Sequence, residues 1–88
     1  MFFVYVLYSF KDNKLYIGYT TNIERRVAEH LLGKVISTKH RLPLQLIYYE
    51  SYVEKQDAKG REKFLKGGSG HKYLKKQLFH FFRTKHFA

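Results

Sequence analysis

Two side chains that can take part in acid–base or phosphate chemistry, Arg26 and His30, are separated by one helical turn in a segment whose apolar residues recur every fourth position. At 100° per residue, Arg26 lies about 60° and His30 about 20° from the apolar residue Ile23, whereas Arg25 lies about 160° away. Arg26 and His30 are therefore expected at the boundary between core and water, where a side chain is held in place. A held guanidinium can stabilise developing negative charge, and an imidazole can relay a proton. The alternative is that Arg26 covers apolar surface with its stem and that His30 is a satisfied boundary residue.

A carboxylate is predicted on the inward face of a later helix. Glu62 lies about 40° from Ala58, and Leu65 lies about 20° from Ala58 on the other side. A carboxylate rarely occupies an inward position unless it is paired with a cation or a metal. The alternative to a metal ligand is an ordinary ion pair with a neighbouring Arg or Lys.

Two phenols are expected on one face of a hairpin. If the turn is centred on Asp12 and Asn13, Tyr16 lies opposite Ser9, which shares a face with Tyr5. This register leaves the two tyrosines on the order of 13 Å apart along the ladder. Only a twist, a bulge or a longer loop would bring the two hydroxyls together, and packing in the core is the alternative role for each tyrosine.

Three segments are predicted to be strands. Residues 2–9 are apolar at both alternating sets of positions, as in a strand that is covered on both faces, so this strand is expected to be central. Residues 11–14 predict a tight hairpin turn, and a second strand follows over residues 15–19. The third strand, residues 46–52, is again aromatic and β-branched.

Three helices are predicted. The first begins near Asn22, because Thr21 and Glu24 have the spacing of a capping box, and it ends at Gly33.

The second helix covers about residues 54–66 and the third about residues 71–85, with residues 67–70 as a glycine-rich loop between them. The expected fold class is α+β: a small, three-stranded, mostly antiparallel sheet flanked by about three helices. Residues 1–88 are expected to form a single domain.

Composition restricts the class of protein further. Apolar residues make up 44% of the 88 residues, which excludes a disordered chain, and the absence of cysteine excludes disulfides and thiolate zinc sites. Seventeen Lys and Arg residues against seven acidic ones give a net charge of +10, which indicates a polyanionic partner. A solubilising surface charge is the alternative. The first residues lack the features of a signal peptide, so a cytoplasmic location is expected.

Two short motifs resemble the paired signature of the GIY-YIG nuclease superfamily. They are Phe3-Val4-Tyr5 and Tyr16-Ile17-Gly18. The second matches letter for letter, whereas Phe3 stands in place of Gly and Val4 in place of Ile in the first. The likeness covers residues 2–70 and is greatest to short stand-alone members related to the nuclease modules of the DNA-repair excinuclease and of homing endonucleases.

The resemblance implies a role for each of the five residues. Tyr16, with Tyr5 beside it, would orient and deprotonate a water molecule. Arg26 would bond a nonbridging phosphate oxygen, and His30 would relay a proton or fix the phenol. Glu62 would hold one divalent cation, Mg²⁺ or Mn²⁺. The implied activity is that of a metal-dependent endonuclease that hydrolyses DNA with low sequence specificity, in repair or recombination.

Nucleic acid is expected to be bound through its phosphates, without readout of sequence. The candidate contacts are basic residues of the loops and helices: Lys34, Lys39, Arg41, Lys55, Lys59, Lys63, Lys66, Lys72, Lys75 and Lys76. RNA as substrate is an open alternative, as are a nucleic-acid-binding module without useful turnover and an adaptor that needs a protein partner for cleavage. No membrane partner is expected.

Overall fold

The computed structural model describes residues 1–84 and contains a three-stranded antiparallel sheet in the order β2-β1-β3. The strands are β1 (Phe2–Ser9), β2 (Leu15–Thr20) and β3 (Leu44–Tyr52). The apolar pattern of β1 predicted a central strand, and both of its faces are indeed covered. β3 begins two residues earlier than predicted.

The described part of the chain has four α-helices and a short 3₁₀ turn. They are α1 (Ile23–Leu31), α2 (Lys55–Lys66), α3 (Gly68–Gln77) and α4 (Phe79–Thr84), with the 3₁₀ turn at Lys39–Arg41. The predicted α+β class is confirmed. None of the helices within residues 1–84 is long and apolar enough to cross a membrane.

Two of the predicted helix boundaries are wrong. The glycine-rich segment 67–70 is not a loop, because α3 already begins at Gly68. The predicted third helix is interrupted at Leu78, whose backbone (φ −102°, ψ 37°) ends α3 before α4 begins. Lys85, the last residue of that prediction, lies outside the described residues.

The close packing of α3 on α2 explains why glycine occurs inside the first turn of α3. A Cβ atom on Gly70 would lie 2.2 Å from the carbonyl oxygen of Phe64 and 2.4 Å from the Cα of Leu65. Both are backbone atoms that cannot move aside cheaply. Gly70 therefore allows the two helices to meet closely, where the sequence pattern alone suggests a loop.

Specific hydrogen bonds define both ends of α1. The side chain of Asn22 accepts a bond from the amide of Arg25 at 3.1 Å, so Asn22 is the N-cap and not Thr21. At the other end Gly33 has φ +74°, and its amide donates to the carbonyl of His30 at 3.1 Å. The helix ends directly after its buried residues, and this places His30 in the last turn.

Each face of the sheet has its own apolar cluster. On the α1 side the cluster is built on Tyr5, Leu7 and Leu44. On the other side β1 and β2 pack against the second and third helices, through Val4, Val6, Ile17, Ala58, Leu65 and Leu74. Tyr5 thus lies on the face that α1 covers.

The hairpin register differs from the predicted one. Tyr16 pairs with Leu7 and not with Ser9, because the connection is a five-residue loop, residues 10–14. Asn13 in this loop has φ 58°, a conformation that asparagine tolerates well. The shift makes Tyr5 and Tyr16 diagonal neighbours on adjacent strands, so the longer loop removes the predicted separation.

Replacing Gly70 by alanine tests the packing of α3 on α2. We expect Gly70→Ala to lower the free energy of unfolding by about 1–3 kcal/mol, because the added methyl group overlaps backbone atoms. Gly68→Ala is the control, since a Cβ there meets no atom within 4 Å. It should leave stability unchanged or raise it by up to about 1 kcal/mol through helix propensity. Urea denaturation measures both, and equal effects would contradict the proposed contact.

Candidate active site

Gly18 leaves room for the ring of Tyr5. The two residues are paired across β1 and β2, and a Cβ on Gly18 would lie 2.2 Å from Cζ and 2.3 Å from the hydroxyl oxygen of Tyr5. The phenol therefore lies flat over the neighbouring strand, in space that any other residue would fill. This contact explains in physical terms why a glycine follows the Tyr16-Ile17 pair.

The Tyr5 hydroxyl begins a buried chain of hydrogen bonds. It lies 2.7 Å from Nε2 of His30, whose Nδ1 lies 2.7 Å from Oγ1 of Thr38. All three side chains are fully buried. Sequence reasoning missed Thr38, which stands in a loop with no pattern to mark it.

His30 is buried and not at the boundary where the helical wheel predicted it. The rings of Tyr5 and Tyr16 pack around it, with centroids 5.5 and 5.0 Å from its own. Burial lowers the pKa of His30 to about 4, and the nearby charge of Arg26 acts in the same direction. The imidazole is therefore neutral at pH 7, and each ring nitrogen has a partner.

The protonation state of Tyr5 decides the direction of these hydrogen bonds. Burial raises the pKa of Tyr5 to about 12, although a hydrogen bond from Arg26 acts in the opposite direction. The guanidinium can only donate, so the phenol oxygen accepts from Arg26 and its own proton goes to Nε2 of His30. Nδ1 of His30 then carries the second hydrogen and donates it to Thr38. We assign this tautomer on that basis.

Tyr16 differs from Tyr5 in exposure and in hydrogen bonding. Its ring lies 6.4 Å from that of Tyr5, centroid to centroid, and is only partly buried. The side-chain hydrogen bonds found among residues 1–84 include none from the Tyr16 hydroxyl. The packed ring fixes the position of this phenol and leaves its oxygen available to a water molecule or a ligand.

Arg26 is held at the edge of the cluster. Its guanidinium forms an ion pair with Glu29 at 3.2 Å, and 40% of its side chain is exposed. Arg25, the next residue, is exposed to solvent, as the periodicity of α1 predicts. The arrangement gives one cation that is oriented and can still reach a ligand in solvent.

Glu62 occupies a sheltered position on α2, with 13% of its side chain exposed. It pairs with Lys66 at 2.9 Å and with Lys59 at 3.3 Å. Burial alone would raise the pKa of Glu62, but the bonds from these two lysines outweigh it and hold the pKa below its ordinary value. Glu62 also contributes to the raised pKa of Tyr5, so the carboxylate acts on the same site.

The donor set suits one hard cation with water ligands better than a closed metal cage. Within residues 1–84 no three His, Cys, Asp or Glu side chains are grouped so that they could hold a metal ion. A single carboxylate is a sufficient protein ligand for Mg²⁺, which keeps several waters and binds substrate phosphates. Both lysine partners of Glu62 are about half exposed, 56% for Lys66 and 51% for Lys59, so losing these ion pairs to a cation costs little free energy.

Another sheltered carboxylate, Glu50 on β3, is fully occupied. It accepts two bonds from Arg61, at 2.9 and 3.0 Å, and one each from the hydroxyls of Tyr48 and Tyr52. Arg61 in turn lies over the ring of Tyr73, 4.6 Å from its centroid. Since both oxygens of Glu50 are satisfied by partly buried partners on β3 and α2, this group joins α2 to the sheet.

The ten basic residues predicted to contact phosphate differ in whether they already form an ion pair. Arg41 is partly buried and paired with Asp12 at 2.6 Å, while Lys59 and Lys66 are the two partners of Glu62. The other seven are exposed: Lys34, Lys39, Lys55, Lys63, Lys72, Lys75 and Lys76. None of these seven has an ion pair with another residue in the range 1–84, so a polyanion can bind them without breaking one found there.

The buried histidine should make stability depend on pH. Because the folded state lowers the pKa of His30 from its ordinary value to about 4, the unfolded chain binds more protons between these values. Stability is therefore expected to fall as the pH drops from about 6.5 towards 4, with a limiting slope of about 1.4 kcal/mol per pH unit. Denaturation across this pH range measures the effect.

Two readouts separate His30 from other groups that titrate. His30→Gln should flatten this part of the profile, whereas the exposed His40→Gln should not. If His30→Gln does not fold, the ring resonances of the wild-type histidines report the same property by NMR. Protonation of His30 near pH 6.5 would contradict a buried, neutral ring.

Comparison with known proteins identifies the family of the chain. Residues 1–76 match the GIY-YIG catalytic domain. The chain is 45% identical over 74 residues to UPF0213 protein SH2523 of Staphylococcus haemolyticus, which covers 83% of this chain and 89% of that protein. It is 43% identical over 77 residues to a UPF0213 protein of Pediococcus acidilactici, covering 84% and 78% of the two chains.

A third relative gives a similar match. UPF0213 protein NP_0776A of Natronomonas pharaonis is 48% identical over 65 residues, which is 73% of this chain and 75% of that protein. No solved structure is significantly similar to the chain. The match over residues 1–76, together with these relatives, shows that the chain belongs to the GIY-YIG family.

Proposed function

We propose that this protein is a metal-dependent endonuclease that hydrolyses phosphodiester bonds of DNA with low sequence specificity, in repair or recombination. The observation that carries the proposal is the contrast between two adjacent phenols. Tyr5 is buried and bonded to His30, while the oxygen of Tyr16 is available beside it. Family membership supports a nucleic-acid substrate.

In this proposal Tyr16 orients the attacking water. Its ring packs against His30 and Tyr5, so the phenol oxygen is fixed relative to the rest of the site. Tyr16 accepts a proton from the water and passes its own proton to solvent as the new P–O bond forms and the P–O bond to the leaving oxygen breaks; the leaving oxygen then takes a proton from solvent. Tyr5 is the positioning residue, because its pKa near 12 and its bond to His30 keep it protonated.

Arg26 stabilises the charge that builds on the phosphate. A guanidinium presents several N–H donors and stays charged at every relevant pH. The ion pair with Glu29 orients Arg26 before the substrate arrives. A donor that is oriented in advance needs no reorganisation during the reaction, which is why it lowers the barrier.

Glu62 is the residue that would hold the cation, Mg²⁺ or Mn²⁺. When bound, the ion would neutralise negative charge on the phosphate and on the leaving oxygen. Glu62 would give up its bonds to Lys59 and Lys66, and those two ammonium groups would then be available to neighbouring phosphates. The same ion pairs favour the second candidate function, a nucleic-acid-binding module without useful turnover.

Replacing Glu62 by glutamine distinguishes the two functions. We expect Glu62→Gln to abolish cleavage that depends on a divalent cation, while folding and DNA binding persist. The lost ion pairs are with half-exposed lysines, so stability should change by no more than about 1 kcal/mol. The assay is plasmid and branched-DNA cleavage with Mg²⁺ or Mn²⁺.

Glu54→Gln is the matched control, since Glu54 is exposed at the start of the same helix. It should cleave like the wild type. Wild-type cleavage by Glu62→Gln would show that Glu62 holds no cation, and an inactive wild-type protein that still binds DNA would favour the binding module.

The adjacent arginines of α1 test the role of a held cation. Arg26→Ala should reduce cleavage by about a hundred- to a thousandfold, the usual cost of losing a donor that stabilises an oxyanion. Arg25→Ala should weaken binding only slightly, because its side chain is exposed. Single-turnover rates with thermal melts separate this effect from lost packing. An equal loss in both variants would indicate ordinary charge attraction.

A further inference from the structure

The two lysine partners of Glu62 differ in a second contact. Nζ of Lys59 lies 3.3 Å from Oε1 of Glu62 and also 4.3 Å from the centroid of the Tyr19 ring. Nζ of Lys66 lies 2.9 Å from Oε2 of Glu62, and no cation–π contact of Lys66 is found within residues 1–84. Lys59 is therefore held by a contact that does not depend on the carboxylate.

The Tyr19 ring is held in place by packing. Tyr19 belongs to β2 and packs against the apolar cluster on the α2 side of the sheet. Its ring is stacked on that of Phe2, with centroids 6.4 Å apart and planes 11° apart. The hydroxyl is buried and has no hydrogen-bond partner among residues 1–84, so it does not fix the ring. Packing thus presents a fixed π surface, and such a surface attracts an ammonium group.

Lys59 reaches the candidate site through Glu62 and not through the sheet. Tyr19 and Tyr16 are three positions apart in β2, so their side chains lie on opposite faces. Lys59 and Glu62, however, are neighbours on one side of α2. Burial is the main cause of the raised pKa of Tyr5, and the charge of Glu62 adds to it. The ammonium group of Lys59 is therefore next to a carboxylate that acts on the site, although the ring that holds it belongs to the other face.

A divalent cation on Glu62 would change the surroundings of both lysines. Each carboxylate oxygen accepts a bond from one of them, so the cation competes with both ammonium groups. Lys66 is exposed and can turn into solvent. The Tyr19 ring still attracts Lys59, whose N–H donors would then be available to another anion. A cation and an ammonium group side by side repel each other, and a phosphate that binds both removes this repulsion.

We propose that Tyr19 is a positioning residue that keeps Lys59 at the site when a divalent cation occupies Glu62, and that Lys59 then binds a phosphate of the substrate strand. The proposal rests on the function proposed above. The cation removes the repulsion between Glu62 and the phosphate, and the phosphate removes the repulsion between the cation and Lys59. Cation and nucleic acid therefore bind cooperatively, and each raises the affinity for the other by the same factor. Sequence reasoning selected Lys59 only as a general phosphate contact and did not select Tyr19.

Binding of a duplex oligonucleotide, followed by fluorescence anisotropy, tests the coupling without any need for cleavage. Affinity is measured in EDTA and in Ca²⁺ at constant ionic strength. Ca²⁺ should raise the affinity of the wild-type protein about fivefold or more, the usual size of a coupling between two sites. Lys59→Gln should lose most of this increase, because the retained ammonium group is gone. An increase of the same size in Lys59→Gln, or no increase in the wild type, would overturn the proposal.

Lys66→Gln is the matched comparison, because it removes the same charge from the same helix and from the same carboxylate. It should keep most of the increase that depends on Ca²⁺, since the Tyr19 ring does not hold Lys66. An equal loss in Lys59→Gln and Lys66→Gln would indicate ordinary charge attraction and would contradict the role of Tyr19.

Two substitutions of Tyr19 separate the effect of the ring from that of its hydroxyl. Tyr19→Phe keeps the π surface and removes only the hydroxyl, so its coupling should equal that of the wild type. Tyr19→Leu removes the π surface and should behave like Lys59→Gln. Thermal melts show whether Tyr19→Leu is folded, and if it is not, the exposed Lys59→Gln still tests the proposal. Wild-type coupling in a folded Tyr19→Leu would show that the ring does not position Lys59.

The affinity for the cation gives a reciprocal readout. EPR spectroscopy measures free Mn²⁺, and the oligonucleotide should raise the affinity of the protein for Mn²⁺ once the Mn²⁺ bound by the oligonucleotide alone is subtracted. A protein that shows this coupling and never cleaves contradicts the endonuclease function alone. A protein that cleaves, while Lys59→Gln couples like the wild type, contradicts the role of Lys59 and Tyr19 alone.

Discussion

The candidate site depends on one close approach, that of the Tyr5 ring to the backbone of Gly18. Because Gly18 has no side chain, the phenol crosses the neighbouring strand and its oxygen meets His30. Without that bond, buried polar atoms of His30 would lose a partner, at a cost of about 1–3 kcal/mol for each unsatisfied group. The space over Gly18 thus lets Tyr5 link the sheet to His30 of α1, and His30 in turn links α1 to Thr38 in the following loop. It also sets the position of the neighbouring Tyr16 ring.

Burial and charge are separated across the site. Tyr5 and His30 are buried, and the burial that shifts their pKa values keeps both of them neutral at pH 7. The charged groups, Arg26 and Glu62, remain in contact with solvent. Each forms ion pairs with partners that are themselves partly exposed. A buried charge without a fixed partner would cost several kilocalories per mole, so this division is the stable one. Glu50, whose two oxygens both accept hydrogen bonds from protein groups, stabilises the fold instead.

Patterns with a fixed period predicted the structure well, and contacts between distant segments did not follow from them. The central strand follows from a continuous apolar run, and the position of Arg26 follows from helical spacing. The register that brings Tyr16 beside Tyr5 depends on a loop of residues 10–14, whose length the turn residues do not determine. Gly70 has the composition of a loop but meets the backbone of another helix. Thr38 matters only because His30 reaches it, and no local pattern marks such a contact.

The order of the strands has a consequence for synthesis on the ribosome. β1 leaves the ribosome first, pairs with β2 through a local hairpin, and waits for its second neighbour, since residue 2 pairs with residue 52. Local contacts form quickly and distant ones slowly, so one edge of the most apolar strand stays open meanwhile. Tyr5, Tyr16, Arg26 and His30 all emerge before β3, whereas Glu62 emerges after it. The tyrosines and the arginine of the candidate site are therefore synthesised well before Glu62. The two halves of the site meet only when α2 packs on the sheet.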